Sequence, residues 1–97
     1  MNRFKTGKMM ATAGVDDRMQ KDTMFAAFVS KSIRRYLNCD WGDTCKEDKA
    51  SNDYAVENGE RILAVYKQSE DAINPSTIWI ITEWDRSATT ILFPEEY

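Results

Sequence analysis

Thr77-Ile78-Trp79-Ile80-Ile81-Thr82 is the stretch that decides the fold. It carries no charge and consists of β-branched and aromatic residues, the composition of a strand. Its apolar residues fall on both faces, which predicts a central position in a sheet. On the N-terminal side, Gln68 to Ser76 is a polar turn containing Asn74-Pro75, and Arg61-Ile62-Leu63-Ala64-Val65-Tyr66-Lys67 before it is a second strand. On the C-terminal side, Asp85-Arg86-Ser87 turns the chain into Thr89-Thr90-Ile91-Leu92-Phe93. Pro94 ends that strand because it has no N–H for a ladder. Connections this short predict an antiparallel meander.

Further out, Phe25, Phe28, Val29, Ser32, Ile33, Tyr36 and Leu37 recur at spacings of three and four and predict a helix from about Thr23 to Leu37. Asp22 or Thr23 caps its start, Arg34 and Arg35 suit its negative end, and Asn38 is the expected left-handed terminator. A polar second helix over about 45–58 follows. Thr44 and Glu47 match a capping box, Tyr54 and Ala50 share one face, and Gly59 caps the end. Residues 15–20 read as a helical turn, and 4–12 as a short strand or extended arm interrupted by Gly7. These elements predict one α+β domain over residues 1–97. It has two layers: a three- to four-stranded, mainly antiparallel sheet packed by two to three helices.

A hydrophobic fraction of 42% and a charged fraction of 30% exclude a disordered chain. No apolar run approaches the roughly 20 residues of a membrane span. Met1-Asn2-Arg3-Phe4-Lys5 leads into no apolar segment, so no secretory signal and no membrane partner are expected, and a cytoplasmic location is the default. Charge is unevenly placed. Eight Lys/Arg against three Asp leave residues 1–38 at +5, and five Lys/Arg against thirteen Asp/Glu leave residues 39–97 at −8, together −3. Such asymmetry steers charged partners.

The residue inventory argues against catalysis. There is no histidine, no phosphate-binding glycine loop and no dinucleotide fingerprint. Cys39 and Cys45 read as reduced structural thiols, and Asp40 beside Cys39 should raise that thiol's pKa and blunt it as a nucleophile. Asp40, Asp43 and Asp48 are oxygen ligands of the kind hard cations take, but their spacing does not match a calcium loop. No metal or cofactor is therefore expected. The bland reading of this loop has Asp43 capping the helix and Trp41 packing over the sheet.

Glu83-Trp84-Asp85-Arg86, at a turn, combines an indole with three charges. Trp and Arg are frequent binding anchors, and an apolar ring at a turn calls for a cover. The structural alternative has Asp85 and Arg86 fixing the turn and Glu83 pairing with Arg86. Lys8, Lys31, Arg34 and Arg35 are candidates for a nucleic-acid patch, although no nucleic-acid-binding motif accompanies them. The acidic back half has the charge to imitate phosphates before a basic partner.

Asp40-Trp41-Gly42-Asp43, Asp48, Asn52, Gly59-x-Arg61, Ile78-Trp79-Ile80-Ile81-Thr82-Glu83, Asp85-Arg86-Ser87-Ala88-Thr89-Thr90 and Pro94-Glu95-Glu96-Tyr97 together resemble one family. It is the short "plasmid related protein" family of bacterial plasmids, conjugative elements and prophages. The likeness covers roughly residues 39–97. This chain departs at Cys39, where the family usually has Gly, and at Trp84, where it usually has a small residue. The family brings no established activity to transfer residue by residue. Its genomic setting implies an accessory protein, with an anti-CRISPR-type inhibitor as the leading expectation: a non-enzymatic protein that binds a bacterial defence effector and blocks its nucleic-acid site. Trp84, Glu83, Asp85, Arg86, Asp40, Asp43 and Asp48 are the expected partner-binding residues. One alternative is a plasmid maintenance or transfer regulator that binds DNA through Lys31, Arg34 and Arg35. The other is a small-molecule or nucleotide binder with Asp40, Asp43, Asp48, Asn52, Glu83, Asp85 and Arg86 lining its cleft.

Overall fold

A computed structural model describes residues 3–97. Strand β1 (Lys8–Ala11) is followed by helices α1 (Ala13–Lys21), α2 (Thr23–Leu37) and α3 (Lys46–Asn58), then by β2 (Ile62–Lys67), β3 (Thr77–Thr82) and β4 (Ala88–Leu92), and by a short 3-10 turn at Pro94–Glu96. The four strands form one sheet in the order β1-β4-β3-β2. The β2-β3-β4 meander is antiparallel, with Ala64 opposite Ile80 and Ile80 opposite Ile91. β1 adds parallel to β4, Met9 beside Thr89, which makes the sheet mixed. β3 is central, as its two apolar faces predict. The arrangement is the expected α+β one, with three helices and a four-stranded sheet.

Period-two alternation sorts the strand residues cleanly. Ile62, Ala64 and Tyr66 of β2, Ile78 and Ile80 of β3 and Ile91 of β4 face the helices and are buried with Val15, Phe25, Val29, Tyr36, Trp41 and Ala55. Phe25, Val29, Ser32 and Tyr36 are the buried residues of α2, so the predicted stripe is the face that packs. The opposite sheet face carries Leu63, Val65, Trp79, Ile81, Thr90 and Leu92, with Met10 beside Thr90. No helix residue joins these in the core cluster. Instead Tyr97 packs edge-on to Trp79 at 5.4 Å, and Arg61 lies over the Tyr97 ring.

A line of hydroxyls crosses the core. Thr89 Oγ1 donates to the carbonyl of Thr6 at 2.7 Å, Thr82 and Thr89 hydroxyls meet at 2.7 Å, and Tyr36 and Thr82 hydroxyls at 2.6 Å. Thr89 gives its only proton to Thr6, so the direction follows: Tyr36 donates to Thr82 and Thr82 to Thr89. The chain joins α2, β3, β4 and the N-terminal arm while leaving no buried hydroxyl unpaired. Burial pushes the Tyr36 phenol above its ordinary pKa.

Local expectations needed several corrections. The residue with positive φ after α2 is Cys39 (φ 60), not Asn38 (φ −103). The Asn38 N–H closes back on Arg35 and Tyr36 carbonyls, which carries the helical turn one residue further. α3 has no capping box: Cys45 is its N-cap, without a side-chain bond, because Thr44 is engaged elsewhere. The buried face of α3 holds Asn52 and Ala55, while Tyr54 and Ala50 are exposed. The turn expected at 15–20 is a nine-residue helix, capped by the Thr12 hydroxyl accepting from the Val15 N–H. Gly7 (φ 61) is demanded by contact, since a Cβ there would lie 2.3 Å from the Arg86 carbonyl oxygen. No helix among the described residues is long and apolar enough to cross a membrane.

Candidate functional site

The loop between α2 and α3 places its acidic residues against the fold's own edge. An outer strand presents free N–H and C=O groups at alternate residues, and for β2 these belong to Leu63, Val65 and Lys67. Asn52 acts as a substitute strand: its Nδ2 donates to the Leu63 carbonyl at 2.9 Å and its Oδ1 accepts from the Leu63 N–H at 3.2 Å. Thr44 Oγ1 accepts from Val65 N–H at 2.8 Å, and the Asp43 N–H donates to the Val65 carbonyl at 2.8 Å. The Asp43 carboxylate accepts from Lys67 N–H at 2.8 Å. The Thr44 hydroxyl also donates to the Trp41 carbonyl, which fixes its orientation. The motif Asp43-Thr44…Asn52 thus closes one edge of the sheet, and Asp43 does not cap the helix.

Asp40 and Trp41 hold the same loop to α2 and α3. Arg35 donates to both Asp40 oxygens, from Nε at 2.8 Å and from Nη2 at 3.1 Å. The guanidinium holds the Asp40 carboxyl below the usual carboxylate range, and the same bond raises the Arg35 pKa. Tyr66 donates from its hydroxyl to the Asp40 carbonyl at 2.7 Å. Trp41 is 3% exposed, packs edge-on to Tyr36 and at a tilt to Phe4, and donates from Nε1 to Asp53 at 2.8 Å. Of the three aspartates, Asp40 has its ion pair with Arg35 and Asp43 its bond from the Lys67 N–H, while Asp48 is exposed without an ion pair within 4 Å among the described residues. No group of three His, Cys, Asp or Glu among the described residues is placed to hold a metal ion. The Cys39 thiol is pushed up by burial first, then by Asp53 and Glu57. Asp40, the neighbour expected to act on it, faces Arg35 instead.

The second motif makes a rigid turn with one outward ring. Arg86 N–H bonds the Glu83 carbonyl at 2.9 Å, Glu83 N–H bonds Ala88 across the strand ends, and Asp85 Oδ1 accepts from the Ser87 N–H at 3.0 Å. Ser87, through its side chain first and its N–H second, holds the Asp85 carboxyl below its ordinary pKa. The Arg86 guanidinium points inward. It donates to the carbonyls of Glu60 (2.6 Å), Ala55 (2.8 Å) and Glu83 (3.1 Å), so it ties the turn to the end of α3. The charge suits the negative end of that helix. Glu83 makes no ion pair with Arg86. Trp84 remains, 66% exposed, with exposed Asp85 beside it and exposed Glu60 across the Arg86 staple.

The basic residues of α2 divide in the same manner. Lys31 and Arg34 are exposed, whereas Arg35 is half-buried, paired with Asp40 and laid over the Tyr66 ring. Lys8 sits on β1, at the opposite edge of the sheet from β2, and does not join them. Lys31 and Arg35 border an open cleft of about 540 Å³ between α2 and residues 67–72, floored by Phe28. Two large apolar residues at this end, Met24 (67% exposed) and Ile73 (87% exposed), were missed by the sequence reading. Met24 lies off the apolar stripe of α2 and Ile73 interrupts a polar turn, the one signal available for them.

The chain matches no protein-family model, no curated protein and no solved structure.

Proposed function

We propose that this chain is a non-catalytic binding protein whose Trp84 turn docks on a nucleic-acid-handling effector of a bacterial defence system, an anti-CRISPR-type role. Trp84 carries the reading. A two-thirds exposed indole costs solubility, and the turn beneath it is pinned by the Arg86 guanidinium and by the Ser87 N–H to Asp85, so the ring is held outward before any partner arrives. A pre-ordered aromatic anchor loses little entropy on docking. Its surroundings are acidic: Asp85 beside it and Glu60 across the Arg86 staple are both exposed. An apolar anchor rimmed by carboxylates complements the basic groove with which an effector holds its guide or target. The resemblance to the plasmid related protein family supplies the mobile-element setting. Arg86 ties this turn down from within, while Asp40 and Asp43 hold the loop at the other end of β2; Trp84, Asp85 and Glu83 are the proposed contact residues.

The test is inhibition of nucleic-acid cleavage by a panel of CRISPR effectors, with Trp84→Ala alongside. Inhibition that Trp84→Ala weakens at least tenfold supports the reading. Cleavage unaffected across the panel by a large molar excess of the chain refutes the defence role, and inhibition indifferent to Trp84→Ala refutes the site.

A further inference from the structure

The two edges of the sheet are treated in opposite ways. Asn52, Thr44 and Asp43 satisfy the outward groups of Leu63 and Val65 and the Lys67 N–H. At the other edge no described residue pairs with the outer side of β1. Lys8 N–H bonds Ser87 and Thr12 N–H bonds Ile91, which directs the peptide groups of Met9 and Ala11 outward. All four residues of β1 are exposed, including Met9 and Met10 at about 40%.

We propose that β1 is a self-association edge: two copies pair antiparallel along Lys8–Ala11, Met9 of each opposite Ala11 of the other, and merge their sheets into one. This reading stands independently of the Trp84 turn. The register follows from which groups are free. Met9 and Ala11 face outward, so pairing each with the other satisfies every free group of both strands through about four hydrogen bonds. The same register sets Met10 against Met10 of the second copy on the helix-free face, where each covers the other's exposed thioether.

Charge selects the antiparallel sense and a second copy as the occupant. The N-terminal end of this edge carries Lys5 and Lys8, which have no carboxylate within 4 Å among the described residues. The C-terminal end is acidic. Thr12 donates its hydroxyl to the Glu96 carboxylate at 2.7 Å, and Asp16 in the first turn of α1 bonds only the neutral Gln20 amide. A two-fold axis lays each basic end on the acidic end of the other copy: Lys8 opposite Thr12 and its Glu96, Lys5 toward Asp16. Parallel pairing would oppose like charges at both ends. The strand is short and carries Lys8, features that discourage open-ended stacking, while a two-fold pairing closes after one partner.

An edge of this length makes a weak interface, so sedimentation is followed up to about 1 mM protein. The mass should rise from 11.2 kDa toward twice that value. Met9→Pro removes one outward N–H without touching the β1–β4 ladder, and should hold the chain monomeric with its melting temperature little changed. Lys5→Glu should weaken the dimer about tenfold, and adding Asp16→Lys should restore it. Should Met9→Pro fail to fold, the charge swap decides, together with Met10→Cys in a Cys45→Ser background, which should form a covalent dimer on mild oxidation because facing residues at such a site lie within disulfide reach. A monomer throughout, a dimer that Met9→Pro leaves intact, or one indifferent to the charge swap overturns the proposal.

Discussion

Asn52→Ala isolates what closing the β2 edge contributes. The amide is 4% exposed and makes two bonds to one residue, accepting from the Leu63 N–H and donating to the Leu63 carbonyl. Alanine leaves both Leu63 groups unpaired beside a helix that limits access by water. A net hydrogen bond contributes about 1 kcal/mol, and each buried group left unsatisfied costs about 1–3 kcal/mol. Partial hydration of the Leu63 groups puts the expected loss at about 2–4 kcal/mol. For a chain of this size that corresponds to a fall in melting temperature of roughly 10–25 °C. Asn52→Asp is the sharper variant, because it keeps the acceptor for the Leu63 N–H and turns the donor facing the Leu63 carbonyl into an oxygen. Protonation restores a donor, so the folded-state pKa of the new carboxyl should be raised. Its penalty is then greatest at neutral pH and shrinks as pH falls toward about 4, the ordinary carboxyl value. Chemical denaturation of both variants at pH 7 and pH 4.5 gives the two differences directly. An Asn52→Ala loss below about 0.5 kcal/mol, or an Asn52→Asp penalty unchanged by pH, would refute the claim that this side chain stands in for a strand.

The remaining expectations use the same measurements. Trp41→Ala should cost about 3–5 kcal/mol as a large-to-small core change, while Trp84→Ala should stay within about 1 kcal/mol; equal losses in thermal melts would put Trp84 in the core. Arg86→Ala should cost about 2–3 kcal/mol through its charged hydrogen bonds, and Arg86→Gly about 1 kcal/mol less, because φ at this position is 60° and only glycine is free of strain there; a urea titration that ranks them the other way removes the strain argument. Asp22, Asp40 and Asp85 are all held below their ordinary pKa, by the Phe25 N–H, Arg35 and Ser87 respectively. A carboxyl lowered on folding adds stability above its unfolded pKa and loses it as pH falls through the folded one, so stability should decline below about pH 4. Asp40→Asn should flatten that decline in an acid titration, and an unchanged slope would show the Arg35 pair to be inert.

The order of elements was legible in the sequence because it depends on periodicity. The 77–82 stretch, the α2 stripe and the punctuation by Gly59 and Pro94 act over a few residues, so they mark strands and helices without reference to distant parts of the chain. Trp41 was legible as buried for the same local reason. The roles of the polar residues were settled by the tertiary structure. Asp43, Thr44 and Asn52 resemble a helix cap and an acidic cluster until β2, about twenty residues on, brings its free edge against them. Arg86 reads as a binding residue until the end of α3 supplies the carbonyls that take up its guanidinium. The parallel placement of β1 and its open edge likewise came from long-range pairing with β4, the last strand in the chain. Apolar pattern is a property of neighbouring residues, and the sequence displays it. A polar side chain is defined by the partner that satisfies it, and in this fold those partners come from distant segments that only the folded chain brings together.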